Sequence, residues 1–192
     1  MNYLEYKALL AADLYRIMGK SGFNAGVKEY CTGEGWKYIF HFRTCQFLKR
    51  RKILKIFLYP LFRLKLRQIG FKLGISIPVA TKIGPGLYIG HFGGIIVNSR
   101  VKIGRNVNLA HGVTLGASSR GKNAGTPTIG DNVWLGPGCK VFGKVKIADN
   151  VVIGANATVN FDVEASAVVA PTAGQVISYK GSSGIVNYQV IG

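Results

Sequence analysis

Acidic residues are scarce. Eight Asp and Glu stand against 25 Lys and Arg in 192 residues, a formal net charge of +17, and that balance favours a polyanionic partner: nucleic acid, an anionic membrane surface or a phosphorylated cosubstrate. Cysteine is scarce too. Cys31, Cys45 and Cys139 are an odd number without CxxC spacing, which speaks against a disulfide framework or a zinc knuckle and leaves reduced, buried thiols. No stretch reaches the roughly 18 uninterrupted apolar residues of a membrane span, and no charged segment leads into an apolar core at the start. A cytoplasmic protein is expected. Proline is limited to six residues while glycine reaches 26, so glycine serves repeated tight backbone positions, and a repeat architecture is the first expectation.

What is present divides the chain. From Leu4 to about Gly74 the apolar residues recur at helical spacing, first as Leu10, Leu14, Ile17 and Met18, then as Ile53, Leu54, Phe57, Leu58, Leu61 and Phe62. Around the second stripe sit Lys49, Arg50, Arg51, Lys52, Lys55, Arg63, Lys65, Arg67 and Lys72, with no acid among them. This is a basic amphipathic segment in which Pro60 kinks a helix or separates two. It suggests an anionic membrane surface as a partner, peripheral to the inner face of the plasma membrane, rather than a specific nucleic acid.

Beyond Ser76 an aliphatic residue followed by Gly or another small residue recurs every six positions: Ile83-Gly84, Ile89-Gly90, Ile103-Gly104, Leu109-Ala110, Leu115-Gly116, Ile129-Gly130, Leu135-Gly136, Ile147-Ala148 and Ile153-Gly154. Ile95, Val141 and Val159 keep the phase without the small residue. Three hexads make one coil, each a short strand and a turn with the aliphatic side chain inward, and only stacked coils bury such a core. Ordinary strands alternate with period two and do not generate a six-residue recurrence. The count breaks twice: two extra residues fall between 95 and 103, and eight between 115 and 129, so Ala117 to Thr128 leaves the coil as a polar loop.

Phased this way, His91 follows Ile89 by two residues as His111 follows Leu109. The two should stack in one column about 4.8 Å apart, beside the loop. A neutral imidazole takes a hydroxyl proton at cytoplasmic pH, which makes His91, and secondarily His111, candidate catalytic residues. A zinc site from this pair lacks a third ligand, since His41 belongs to the helical part, and no metal is expected. Cys139 has no base placed beside it. Trp134 alternates with inward aliphatics and should face outward, covering a neighbouring subunit or flanking a ligand as a substrate-binding residue.

Three segments are the most specific: Lys82-Ile83-Gly84-Pro85-Gly86 through His91-Phe92-Gly93-Gly94-Ile95-Ile96-Val97, then Gly112-Val113-Thr114-Leu115-Gly116, and Ile153-Gly154-Ala155-Asn156-Ala157. With them the stretch from Ile75 to Val169 resembles the hexapeptide-repeat acyltransferases, in particular the serine acetyltransferase-like branch that includes surface-polysaccharide O-acetyltransferases. The resemblance implies a mainly β fold, a left-handed parallel β-helix over 75–170 with loop 117–128, preceded by an α-helical region over 1–74 and followed by a tail over 171–192. It implies a homotrimer with active sites between subunits, with the pairing of two trimers left open. It implies acetyl-CoA as cosubstrate and His91 as the base that deprotonates the acceptor while the alkoxide attacks the thioester. The stretches holding Gly116, Ala117, Pro137, Gly138, Ala155 and Asn156 match those that carry the pantetheine arm, and Lys140, with Lys144 and Lys146, suits its phosphates on charge grounds.

Departures from the branch bear on the acceptor. Ser76 and Gly90 stand where serine enzymes carry Asp, and Gly125-Thr126 where they carry Arg-His. With no acid between Glu34 and Asp131, His91 must be oriented by a carbonyl, by His111, or by Asp13 or Glu34 from the helical part. A neutral pocket suits a sugar hydroxyl better than a zwitterion, so the expected acceptor is a saccharide of surface-polysaccharide assembly, with Ser76 and Trp134 among the acceptor contacts. The alternatives are serine O-acetylation in cysteine biosynthesis and, from another class, a non-catalytic β-helix scaffold or anion-binding module.

Overall fold

The computed structural model describes residues 1–175; residues 176–192, most of the expected C-terminal tail, lie outside the described residues. Five helices come first: α1 (Tyr3–Met18), α2 (Phe23–Thr32), α3 (Glu34–Leu48), α4 (Lys52–Phe57) and α5 (Tyr59–Leu73). The Asn2 side chain accepts the Glu5 N–H while the Glu5 carboxylate accepts the Asn2 N–H, both at 2.8 Å. This reciprocal cap at the start of α1 is worth about 1 kcal/mol. Pro60 occupies the first turn of α5, where its missing N–H costs no intrahelical bond, so α4 and α5 are separate helices. At the centre lies α3, burying Trp36, Tyr38, Ile39, Phe42 and Cys45 against α1, α2 and α5.

Thirteen short strands follow among the described residues, in three parallel sheets. The first holds β1 (Ile75–Ser76), β3 (Ile95–Val97), β6 (Thr114–Gly116), β9 (Lys140–Phe142) and β12 (Thr158–Val159). The second holds β2 (Lys82–Ile83), β4 (Lys102–Ile103), β7 (Thr128–Ile129) and β10 (Lys146–Ile147), and the third β5 (Asn108–Leu109), β8 (Trp134–Leu135), β11 (Val152–Ile153) and β13 (Val168–Val169). The chain visits the sheets in turn, so each inner strand pairs with strands one coil before and after it, and each end strand with one. All twelve inward positions expected from the hexads are buried. The stack extends past them at both ends, with Ile75 and Ile77 ahead and Val163 behind also buried.

One corner recurs because asparagine tolerates the left-handed backbone that the bend requires. Asn106, Asn132 and Asn150 have φ of 54°, 56° and 61°, and their amides bond along the stack, Asn106 donating to Asn132 at 3.0 Å and Asn132 to Asn150 at 3.1 Å. At the corner between the third and first sheets, Gly112 (φ 73°) lies so near Gly138 that a Cβ on it would come within 3.0 Å of the Gly138 Cα.

The register corrects the expected phase. Val97, not Ile95, pairs with Leu115, a separation of one regular coil, whereas Tyr88 bridges Asn108, two residues longer. The Gly112 N–H donates to the Gly93 carbonyl at 2.7 Å. The two extra residues therefore sit between Ile89 and Gly94, and not between 95 and 103. Ile95 is fully buried even so, because it aligns with the apolar position that Val113 fills one coil later. Thr128 is likewise the first residue of β7, so the loop ends at Pro127.

Polar fasteners join the helices to the first coil. Asp13 is fully buried and accepts from Arg43 Nε at 2.7 Å, Arg43 Nη2 at 3.2 Å, and the Gly86 and Leu87 amides at 2.8 Å each. Arg43 also donates to the Ile83 and Gly84 carbonyls, at 2.8 and 2.6 Å. The Tyr38 hydroxyl donates to the Ile77 carbonyl and accepts its amide, at 3.2 and 3.1 Å, and Gln46 donates to the Val79 and Thr81 carbonyls.

Candidate active site

His91 and His111 are exposed at the corner between the third and first sheets. Their ring centroids lie 6.4 Å apart and their planes cross at 79°. This is nearer to an edge-on pair than to the expected 4.8 Å column, because the two extra residues after Ile89 carry His91 out of register. Gly93 is the residue aligned with His111, whose carbonyl accepts the Gly138 N–H at 2.9 Å, as the Pro137 carbonyl accepts the Asn156 N–H at 2.8 Å. His111, Pro137 and Ala155 thus form one corner column, and the amides of Gly138 and Asn156 are engaged in the ladder.

Beside this corner the first sheet presents an outward row of Ser76, Ile96, Thr114, Lys140 and Thr158. Lys140 turns its ammonium onto the Gly138 carbonyl at 3.1 Å. Past the row, Gly116 ends β6 and Ala117 opens the loop. Ser118 and Gly125 exchange two backbone hydrogen bonds of 2.9 Å, Asn123 donates to the Asn160 carbonyl at 2.9 Å, and the Lys144 amide donates to the Asn123 carbonyl at 2.8 Å. The loop is therefore tied to the next coil, with Arg120 and Lys122 exposed on it. Ser76, Gly116, Ala117 and Lys140 gather around the first sheet, and Pro137, Gly138, Ala155 and Asn156 around the histidine corner.

Trp134 belongs elsewhere. It faces outward, as expected, but in the third sheet, in a row with Tyr88, Asn108 and Val152. There it lines a groove of about 460 Å³ with Ala12, Tyr15, Arg16, Asn106, Asn108, Asn132 and Val133, and with neither histidine.

Asp13 does not orient His91, since Arg43 and two amides of the first coil occupy its carboxylate. Glu34 pairs with Lys37 at 3.3 Å, on the first turn of α3, which packs so closely on Ile89 that a Cβ on Gly35 would collide with the Ile89 carbonyl. His41 is buried in the helices with Nδ1 2.8 Å from the Lys37 carbonyl. Cys139 is buried, and desolvation pushes its thiol up to about 12, so it holds no thiolate at neutral pH.

Two residues of the corner were not singled out from the sequence. The Tyr88 ring lies across Gly90, where a Cβ would come within 2.8 Å of it, so no side chain fits beside His91 unless the ring moves. Phe92 is exposed next to His91. Tyr88 was readable: it precedes inward Ile89 as Trp134 precedes inward Leu135. Phe92 lies in the two-residue insertion, for which the repeat sets no register.

Residues 126–160 match the family model described as bacterial transferase hexapeptide (six repeats). The serine acetyltransferase of Helicobacter pylori is 43% identical over 93 residues, covering 48% of this chain and 54% of that protein. The chain spans about half the length of the curated relatives it matches. Among solved structures, serine acetyltransferase isoform 3 of Entamoeba histolytica in complex with cysteine superposes with a TM-score of 0.71 at 26% identity, covering 94% of this chain and 64% of that one. The Neisseria gonorrhoeae serine acetyltransferase in complex with serine gives 0.70 at 27% identity, covering 88% and 68%. All three are serine enzymes, and they overturn the expectation of a saccharide acceptor. The absent charges at Ser76, Gly90, Gly125 and Thr126 were too narrow a basis for it, because an acceptor's charges can be met by residues outside those four positions.

Proposed function

We propose that the protein is an acetyl-CoA-dependent serine O-acetyltransferase of cysteine biosynthesis. The observation that carries the reading is the pair of exposed imidazoles at a coil corner, within a repeat whose matched relatives are serine acetyltransferases. In it the coil is a left-handed β-helix, and the protein works in the cytoplasm as a homotrimer with active sites between subunits. Acetyl-CoA lies along the outward row of the first sheet, its pantetheine arm against Gly116, Ala117, Pro137, Gly138, Ala155 and Asn156, and Lys140 meets a phosphate.

His91 accepts the serine hydroxyl proton as the oxygen attacks the thioester carbonyl. The C–S bond breaks as the C–O ester forms, and the proton passes to the departing thiolate, giving O-acetylserine and CoA. His111 supports His91 by its edge-on contact. Cations of the loop, Arg120 and Lys122, offer the serine carboxylate a partner, and Glu34 on the turn of α3 packed against Ile89 offers one to the ammonium.

Thiol release measured at saturating acetyl-CoA with L-serine tests this. A kcat/KM of about 10⁴ M⁻¹s⁻¹ or higher is expected, and His91→Ala should lower turnover about 100-fold or more with little change in CoA affinity. Release no faster with serine than with water overturns the acceptor. CoA binding without any thioester turnover indicates a non-catalytic module.

A further inference from the structure

The segment from Lys49 to Lys72 is unlike the rest of the surface. It carries nine Lys and Arg and no Asp or Glu, yet it also exposes large apolar side chains. On α4, Ile53, Ile56 and Phe57 are about 70% exposed, at i, i+3 and i+4 of one helix face. On α5, Leu66, Gly70 and Leu73 are buried while Leu61, Leu64 and Phe71 are 64%, 55% and 74% exposed. At 100° per residue, Leu61, Leu64 and Phe71 fall opposite the buried face. Lys65 and Lys72 flank them on one side and Arg63 and Arg67 on the other, with the Arg67 guanidinium 5.2 Å from the Phe71 ring centroid. Burying α5 against the core needs only its inner face, so folding does not account for the outer ridge.

We propose that α4 and α5 form a docking surface for an anionic lipid bilayer, the apolar ridge entering the acyl boundary and the flanking cations meeting lipid phosphates. Long Lys and Arg stems run along apolar surface while their charged ends reach outward, the geometry of a helix lying at an interface. Charge complementarity selects this occupant: nine cations without an acid attract an anionic leaflet, each contributing about five-fold in affinity, whereas a second copy of the chain would bring nine like charges against them.

The full chain should co-sediment with vesicles of phosphatidylcholine and phosphatidylglycerol, weakly with phosphatidylcholine alone, and less as salt rises. Lys65→Gln should weaken binding about five-fold and Leu64→Ser about ten-fold. Both residues are exposed, so unchanged circular dichroism and unchanged acetyl-CoA turnover confirm an intact fold and site. Equal pelleting with neutral and anionic vesicles, or none with either, overturns the proposal. So does a concentration-dependent rise in mass by light scattering that Leu64→Ser abolishes, since a second copy would then be the occupant.

Discussion

The coil coheres by repetition, whereas the helices join it through buried polar contacts that occur once. In the coil every turn repeats the same inward aliphatic positions and the same strand pairing, so cohesion is spread evenly and each turn depends on its two neighbours. The helices share one apolar core with the first coil, and a few buried polar fasteners secure that junction, foremost the Asp13–Arg43 cluster, with Tyr38 on Ile77 and Gln46 on Val79 and Thr81. A distributed core tolerates a local defect. A concentrated junction does not, because removing one member strands the others without water.

The comparison breaks most sharply at Asp13. Asp13→Ala leaves Arg43 buried and unpaired, and should cost about 3–5 kcal/mol. Hydrogen exchange should show α1 and α3 losing protection while β6 to β11 keep theirs. Asp13→Leu with Arg43→Met should recover much of the loss, and equal damage from the double variant would mean that packing rather than charge pairing governs the junction. Leu135→Ala probes the other side. A cavity in the middle of the stack should cost about 2–5 kcal/mol, with exchange rising in the coils next to β8. Comparable loosening of α1 to α5 would show that the two parts unfold as one.

The smallest effect is set by pH. Burial depresses the His41 pKa, opposed by the Lys37 carbonyl and reinforced by the Lys65 charge. The unfolded imidazole, near 6.5, takes a proton before the folded one does. The contribution is therefore complete above about pH 6.5 and is lost as the pH falls through the window between that value and the depressed folded one. Helix protection should fall as the pH drops below about 6.5 while coil protection holds, and His41→Gln should remove this dependence. A fall that survives in His41→Gln would place the titration elsewhere.

The same contrast explains what could be read from the residues. The period exposed the coil because one physical demand, an inward aliphatic beside a tight corner, repeats along it. Phase was harder: Ile95 and Val97 are both buried, so burial preference could not say which of them holds the strand position, and only the backbone pairing of Tyr88, Gly93 and Val97 located the insertion. That is why His91 and His111 were correctly brought near each other but given the wrong distance. Nothing periodic links Asp13 to Arg43, 30 residues away, and Asp13 was accordingly offered as a partner for His91 when it is spent on the junction. The acceptor was misjudged for a related reason, since missing charges at four positions say nothing of what the rest of a pocket can supply.

The coils are unequal in length: 20 residues separate Ile83 from its ladder partner Ile103, 26 separate Ile103 from Ile129, and 18 separate Ile129 from Ile147. Each excess is absorbed within a single bend, and pairing resumes in step immediately afterwards. Variation in length is thus quarantined from the stack, at a closure cost that rises by only about 0.6 kcal/mol for each doubling of a loop. The bends at Gly90–Gly93 and Ala117–Pro127 are consequently ports in the scaffold, where extra chain leaves the stack and returns without disturbing the strand pairing on either side.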